Sequence, residues 1–192
     1  MNKLSTTADD ILDCAQTLIM AGGYNGFSYA DIAAVVGIRK ASIHHHFPSK
    51  VDLVCSLIIR YRAGARAGLA AVERSTSDPG AQLAFYLGYW QKCLVDGTAP
   101  ICICALLASE LPALPPEVAA EVRLHFETLS QWLTATLQRG AQAGVLALSS
   151  SPEAEAEAFM ATVHGGMVSA RVKGDPVLFG TITKALLARL RP

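Results

Sequence analysis

Residues 28–50 read SYADIAAVVGIRKASIHHHFPSK, and the order of polar and apolar side chains in this stretch decides the fold. Ser28 followed three residues later by Asp31 is a capping-box pattern, in which hydroxyl and carboxylate satisfy the unpaired N–H groups of a helix start. Ile32, Ala33 and Val36 then supply an apolar face, and Gly37 ends it, because a helix terminus favours a residue free to turn left-handed. A further short helix is expected from Lys40 to Phe47, with Ile43 and Phe47, four residues apart, on its buried side. Ser49 with Asp52 repeats the capping box and opens a long helix through Leu53, Leu57, Ile58 and Tyr61 to near Arg74. Upstream, Ile11, Ala15, Leu18 and Ile19 form another helical stripe, opened by Thr7 with Asp10 and closed at Gly22–Gly23. Three short helices with a glycine turn between the second and third match what a DNA-reading helix-turn-helix requires.

Beyond Asp78–Pro79 the helices lengthen. Leu83, Leu87, Trp90 and Leu94 share a face, and a segment after Pro100 runs to Glu110 with Cys102 in its first turn. Pro115–Pro116 opens a helix that buries Val122, Phe126, Leu129, Leu133 and Leu137 and ends near Gly144. Ser151–Pro152 and Asp175–Pro176 pair an N-cap residue with a proline suited to the first helical position, starting helices over Ser151–Lys173 and Asp175–Leu190. No β-alternation persists and no long repeat is visible. The fold class is all-α, with roughly nine helices. The division expected is a helix-turn-helix domain over 1–50 and a helical domain over 51–192.

With 52% apolar and 17% charged residues, the chain has the composition of a packed core rather than a disordered segment. Its formal net charge of zero hides an asymmetry. Between residues 39 and 66, Arg39, Lys40, Lys50, Arg60, Arg62 and Arg66 face a single acid, Asp52, with His44, His45 and His46 beside them. Positive charge gathers where a polyanion would be met. The five cysteines are odd in number and irregularly spaced, which speaks against a disulfide framework and for a reducing compartment. The first ten residues lack a secretion signal's apolar core, and no apolar run approaches membrane-spanning length. A cytoplasmic protein without membrane attachment is expected.

The stretch ILDCAQTLIMAGGYNGFSYADIAAVVGIRKASIHHHFPSKVDLV, residues 11–54, resembles the TetR-family DNA-binding domain over its whole length. The markers are Ala15, the Gly23-Tyr24-Asn25-Gly26-Phe27-Ser28 turn, Ile32-Ala33, Val36-Gly37, Ser42 and the run from His45 to Lys50. The resemblance implies a homodimeric transcription regulator, most often a repressor, that binds a palindromic double-stranded operator through its first three helices. It further implies a variable effector domain that responds to a small molecule and dimerises through its last two helices. With Ile43 and Phe47 turned to the core, Arg39, Lys40, Ala41, Ser42, His44 and His45 remain for DNA. By resemblance Lys50 meets a phosphate at a helix start, and Ser28 and Tyr29 face the DNA backbone. The family usually carries tyrosine where this chain has His44, so a phenol contact gives way to an imidazole that donates more strongly when protonated.

Three successive histidines point about 100° apart on a helix and do not converge on one ion, so no metal is expected there. No cofactor is implied. The run DGTAPICICALLASELPALPPEVAAEV, residues 96–122, resembles electrophile-sensing regulators of the same family. That resemblance makes Cys102 a redox-sensing candidate, with Arg171 as a cationic neighbour. The competing sensor is an apolar pocket among Tyr86, Trp90, His125, Phe126, Trp132, His164 and Met167. For the dimer, Phe159, Val163 and Met167 share a face of the eighth helix, and Gly165–Gly166 would allow close approach of a partner. An enzyme is the alternative class, but no nucleophile elbow, zinc-protease or phosphate-loop motif occurs. A helical adaptor would leave the basic helix-turn-helix pattern unexplained.

Overall fold

The computed structural model describes residues 6–192, and every regular element among them is helical. Nine α-helices follow in order: α1 (Thr7–Gly22), α2 (Tyr29–Val36), α3 (Lys40–His46), α4 (Lys50–Ser75), α5 (Pro79–Val95), α6 (Ile103–Ser109), α7 (Pro116–Gln142), α8 (Pro152–Lys173) and α9 (Val177–Arg189). Single 3₁₀ turns lie over Tyr24–Gly26 and Leu111–Ala113. The capping boxes at Ser28–Asp31 and Ser49–Asp52 form as the spacing predicts. At α1 the structure uses Thr6 and Asp9 instead of Thr7 and Asp10. Both pairs fit the pattern, but Asp10 N–H already donates to the Thr6 carbonyl at 3.0 Å, so Asp10 lies inside the helix. Likewise α9 begins at Val177 rather than Asp175, whose carboxylate accepts the Val177 N–H from outside the helix.

Contacts divide the chain into two compact units, and it passes between them within α4, at Cys102–Ile103 and within α7. The first unit takes the chain to Ala63 and adds Ile103–His125. Its core holds Ile11, Ala15 and Ile19 of α1, Ile32, Ile43, Leu53, Leu57 and Ile58, all buried, with Leu107 of α6 and Val118 of α7. The end of α6 also braces the turn after α1. Glu110 accepts the Tyr24 N–H at 2.9 Å, and Gly23 sits at φ 74°, where a Cβ would fall 2.1 Å from Glu110 Oε1. Gly23→Ala is therefore expected to destabilise the protein by about 1–3 kcal/mol, through left-handed strain and displacement of that carboxylate. Thermal unfolding reads this directly; an unchanged midpoint would mean that the turn relaxes without cost.

In the second unit α8 and α9 pack along their length, and α5 covers α9. Phe159, Val163 and Met167, the face expected to meet a partner chain, are instead buried within this unit. A helix with one strongly apolar stripe buries it against its own neighbour first. Gly166 serves the same packing, since a Cβ there would stand 3.2 Å from the Phe179 ring. The opposite side of α8, with Ala161, Gly165, Val168 and Val172, stays exposed. At the α8 start, Ser151 caps Ala154 N–H, and Glu155 accepts hydrogen bonds from the Ser149 and Ser150 hydroxyls that hold its carboxyl below its usual pKa.

Candidate nucleic-acid interface and effector region

α2 and α3 are joined by Gly37 in the left-handed conformation (φ 76°, ψ 30°), whose N–H closes α2 on the Ala33 carbonyl. The next N–H, of Ile38, bonds to the same carbonyl, so the turn is fixed by its own backbone. Arg39 then caps α3 without using its side chain, which leaves the guanidinium outside. Ile43 is fully buried and Phe47 nearly so, and these two hold α3 against the unit. The other side of α3 presents Arg39, Lys40, Ala41, His44 and His45, all exposed, with Ser42 half-buried. A helix held by two apolar residues and offering small, polar and basic groups outward has the chemistry needed to meet phosphates and base edges.

Three other candidates are engaged within the protein. Ser28 is exposed, but its hydroxyl is shared between the Asp31 carboxylate and the Ala30 N–H, and its bonds hold the Asp31 carboxyl below its usual pKa. Tyr29 is buried; its hydroxyl donates to the Phe47 carbonyl at 2.9 Å, which ties α2 to the end of α3. Burial pushes that phenol up to about 12. Lys50 is half-buried, donating to the Phe27 carbonyl at 2.5 Å and lying 4.0 Å from the Phe27 ring centre and 4.9 Å from that of Tyr24. Desolvation lowers its pKa.

The basic cluster is narrower than the sequence suggests. Arg60 pairs with Asp13 at 2.5 Å and Asp9 at 3.5 Å, and Arg62 pairs with Glu121 at 2.6 Å. Positive charge on the outward face of α3 comes from Arg39 and Lys40, with His44 and His45 next to them. Sequence reasoning missed the brace from Glu110 to Tyr24 and these arginine pairs. Nothing in local spacing connects residues 86 positions apart, as Tyr24 and Glu110 are.

Of the effector candidates, His125 falls in the first unit and the others lie in the second. Tyr86 and Trp90 are buried on α5, and the Tyr86 ring lies 5.8 Å from Trp132 and 6.4 Å from Phe159. Trp90 Nε1 lies toward Tyr86 Oη without reaching good hydrogen-bond geometry, so both buried polar atoms lack a partner among the described residues. Burial, with the Cys102 thiol in electrostatic reach, raises the Tyr86 pKa. Met167 is fully buried. Phe126 meets His164 edge-on at 5.2 Å and lines an open groove of about 370 Å³ with Glu127, Ser130, Gln131, Glu157 and Met160. Cys102 is fully buried and directly precedes α6, whereas the sequence pattern puts it in the first turn; the helix starts only at Ile103. Arg171 is exposed in the last turn of α8. Among the described residues no cluster of three or more histidine, cysteine or acidic side chains is placed to hold a metal ion. No described helix is long and apolar enough to cross a membrane.

Residues 11–57 match the family model described as bacterial regulatory proteins, tetR family. Residues 80–186 match the tetracyclin repressor-like C-terminal domain. The chain is 30% identical over 181 residues to the transcriptional regulator AcuR of Cereibacter sphaeroides, covering 84% of this chain and 78% of that one. A TetR-family regulator structure from Agrobacterium tumefaciens shares 60% identity and superposes with a TM-score of 0.94 over 96% of this chain and 97% of the other. The reduced form of Escherichia coli NemR shares the fold at 18% identity, with a TM-score of 0.82 over 96% and 97% of the two chains.

Proposed function

This chain belongs to the TetR family of bacterial regulatory proteins, and we propose that it is a homodimeric repressor whose two α3 helices hold a palindromic operator. The observation that carries this reading is the outward face of α3, basic and polar from Arg39 to His45, on a helix anchored by Ile43 and Phe47. Residues 1–50 act as the DNA-binding domain, and 51–192 bind the effector and the second subunit. Arg39 and Lys40 meet phosphates at the start of α3, while Ala41, Ser42 and His45 approach base edges. Ser28 and Tyr29 support the α2 side of this surface, and Lys50 shares its ammonium between the Phe27 carbonyl and a phosphate. Occupying a promoter requires no further surface, which makes repression the simplest outcome of binding.

The partner subunit docks on the outward side of the last two helices. Ala161, Gly165, Val168 and Val172 of α8 lie one or two turns apart and exposed, as do Val177, Thr181, Ala185 and Ala188 of α9. Small and apolar side chains at this spacing suit close helix packing across a two-fold axis. In the effector region, the unpartnered Tyr86 Oη and Trp90 Nε1 among aromatic rings favour an apolar small molecule with a hydrogen-bonding group. Phe126, His164 and Met167 complete that lining. Cys102 gives a second route, modification by an electrophile or oxidant, with Arg171 as the basic group expected near it.

A gel shift with the DNA upstream of the protein's own gene, against unrelated competitor, tests the regulator reading. Retention that survives the competitor supports it, and equal loss to any DNA argues against it. Repeating the shift after N-ethylmaleimide, with wild type and Cys102→Ser, separates the two effector routes. Release of wild type alone supports the thiol route. Release of both proteins removes Cys102 as the switch and points to another free thiol, and release of neither leaves the aromatic region.

A further inference from the structure

On α3 the ring of His44 tilts over Tyr29 of α2, centroids 4.7 Å apart, and its Nδ1 stands 3.1 Å from the Pro48 carbonyl oxygen. A carbonyl oxygen only accepts, so Nδ1 carries the hydrogen in this contact. A neutral imidazole has one N–H, and here that N–H is committed to the protein's own backbone. Nε2, on an exposed side chain, then presents a lone pair, which a phosphate oxygen repels. Protonation turns Nε2 into a donor and adds positive charge while the bond to Pro48 stays in place. Resting on the reading of α3 as the DNA-facing helix, we propose that His44 contacts a backbone phosphate only as imidazolium. Operator binding then takes up a proton at each His44 and strengthens as pH falls.

The surroundings leave this proton to the incoming phosphate. From α2, Tyr29 faces the ring; its phenol is held by the Phe47 carbonyl and stays neutral up to about 12. Asp31, also on α2, is engaged by the Ser28 N–H and hydroxyl, with Lys40 in electrostatic reach. On α3 itself Lys40 precedes His44 by one turn, and His45 and His46 follow it. At the start of α4, Lys50 is bonded to the Phe27 carbonyl, and Asp52 is bonded by the Ser49 N–H and hydroxyl. Among the described residues no carboxylate pairs with His44.

The sign follows from linkage. With Nδ1–H held by the Pro48 carbonyl, the phosphate-bound state carries a proton on Nε2 that the neutral free ring lacks. Affinity therefore rises as pH falls over the window in which binding takes up that proton, and levels off once the free ring already carries it. Within that window each protomer adds up to about one tenfold step per pH unit.

The test is operator binding between pH 8 and 6 at constant ionic strength, using the upstream DNA as probe. It compares wild type with His44→Gln, a neutral donor, His44→Lys, a fixed cation, and His46→Gln. Thermal unfolding of each free protein verifies that it is folded. Wild type and the His46 variant should tighten about tenfold or more on acidification. His44→Gln should bind with little pH dependence, and His44→Lys should bind tightly at both ends. A flat wild-type profile, or an undiminished slope in His44→Gln, would overturn the proposal. If no protein prefers the upstream DNA at any pH, the reading of α3 fails first, and the proposal goes with it.

Discussion

Val172→Glu with Val168→Glu is expected to yield a folded monomer that has lost most of its operator affinity. Val172 is 79% exposed and Val168 49% exposed on the outward side of α8, so neither contributes much to the stability of the single chain. Substitutions at such positions shift stability by about 0.5 kcal/mol or less. In a two-fold interface each glutamate appears twice, so the double variant places four like charges in one contact with no cation introduced to pair them. A monomer offers one α3 in place of two and loses the gain from linked half-sites, roughly 10²- to 10⁴-fold. Sedimentation gives the oligomeric state and a melting curve gives the fold. Val163→Glu is the contrast: Val163 is fully buried inside the second unit, so that glutamate should unfold the protein rather than split a dimer. An intact dimer in the Val168 and Val172 double variant would move the interface away from α8.

The second large effect is expected from reversing charge at the start of α3. Arg39 and Lys40 are exposed, and among the described residues neither takes part in an ion pair. Arg60 and Arg62 are held by Asp13, Asp9 and Glu121, which leaves the first unit few other cations for DNA. Arg39→Glu with Lys40→Glu strips up to four phosphates of their cations in a dimer and adds repulsion, weakening binding on the order of a hundredfold or more at physiological salt. The alanine pair separates attraction from repulsion: it should weaken binding to all sequences alike and flatten the salt slope by about one for each phosphate no longer neutralised. Lys50→Ala is less clean, because Lys50 also braces Phe27 and Tyr24 and its removal should lower the melting temperature as well. A salt slope unchanged in the alanine pair would place the phosphate-binding cations elsewhere.

The helices were legible because the signals that start and stop them are local. Ser28 with Asp31, Gly37, Ser49 with Asp52 and Ser151 before Pro152 act within one turn, and each appears in the structure where its spacing put it. The miss at α1 shows the limit, since two overlapping threonine–aspartate pairs fit one pattern and only hydrogen bonding separates them. Sequence periodicity found the apolar stripe of Phe159, Val163 and Met167 but not its partner, because a stripe looks the same whether it meets its own chain or another. Side-chain commitments were out of reach for the same reason. The chemistry of Tyr29 and Lys50 suits phosphate, yet a hydroxyl bonded to Phe47 and an ammonium bonded to Phe27 are tertiary facts. Cys102 differs again: its place before α6 lay one residue from expectation, while its complete burial follows from packing that no local pattern encodes.

Hydroxyl-radical footprinting of the purified protein on its own upstream DNA tests the central claim most directly. Two recognition helices related by a two-fold axis should protect two symmetric patches, centred about one helical turn apart or a multiple of it, around a near-palindromic sequence. Both patches should fade together as salt is raised. Protection of one asymmetric patch, or none at any salt concentration at which the protein stays folded, would contradict the account of a dimer that reads DNA through α3.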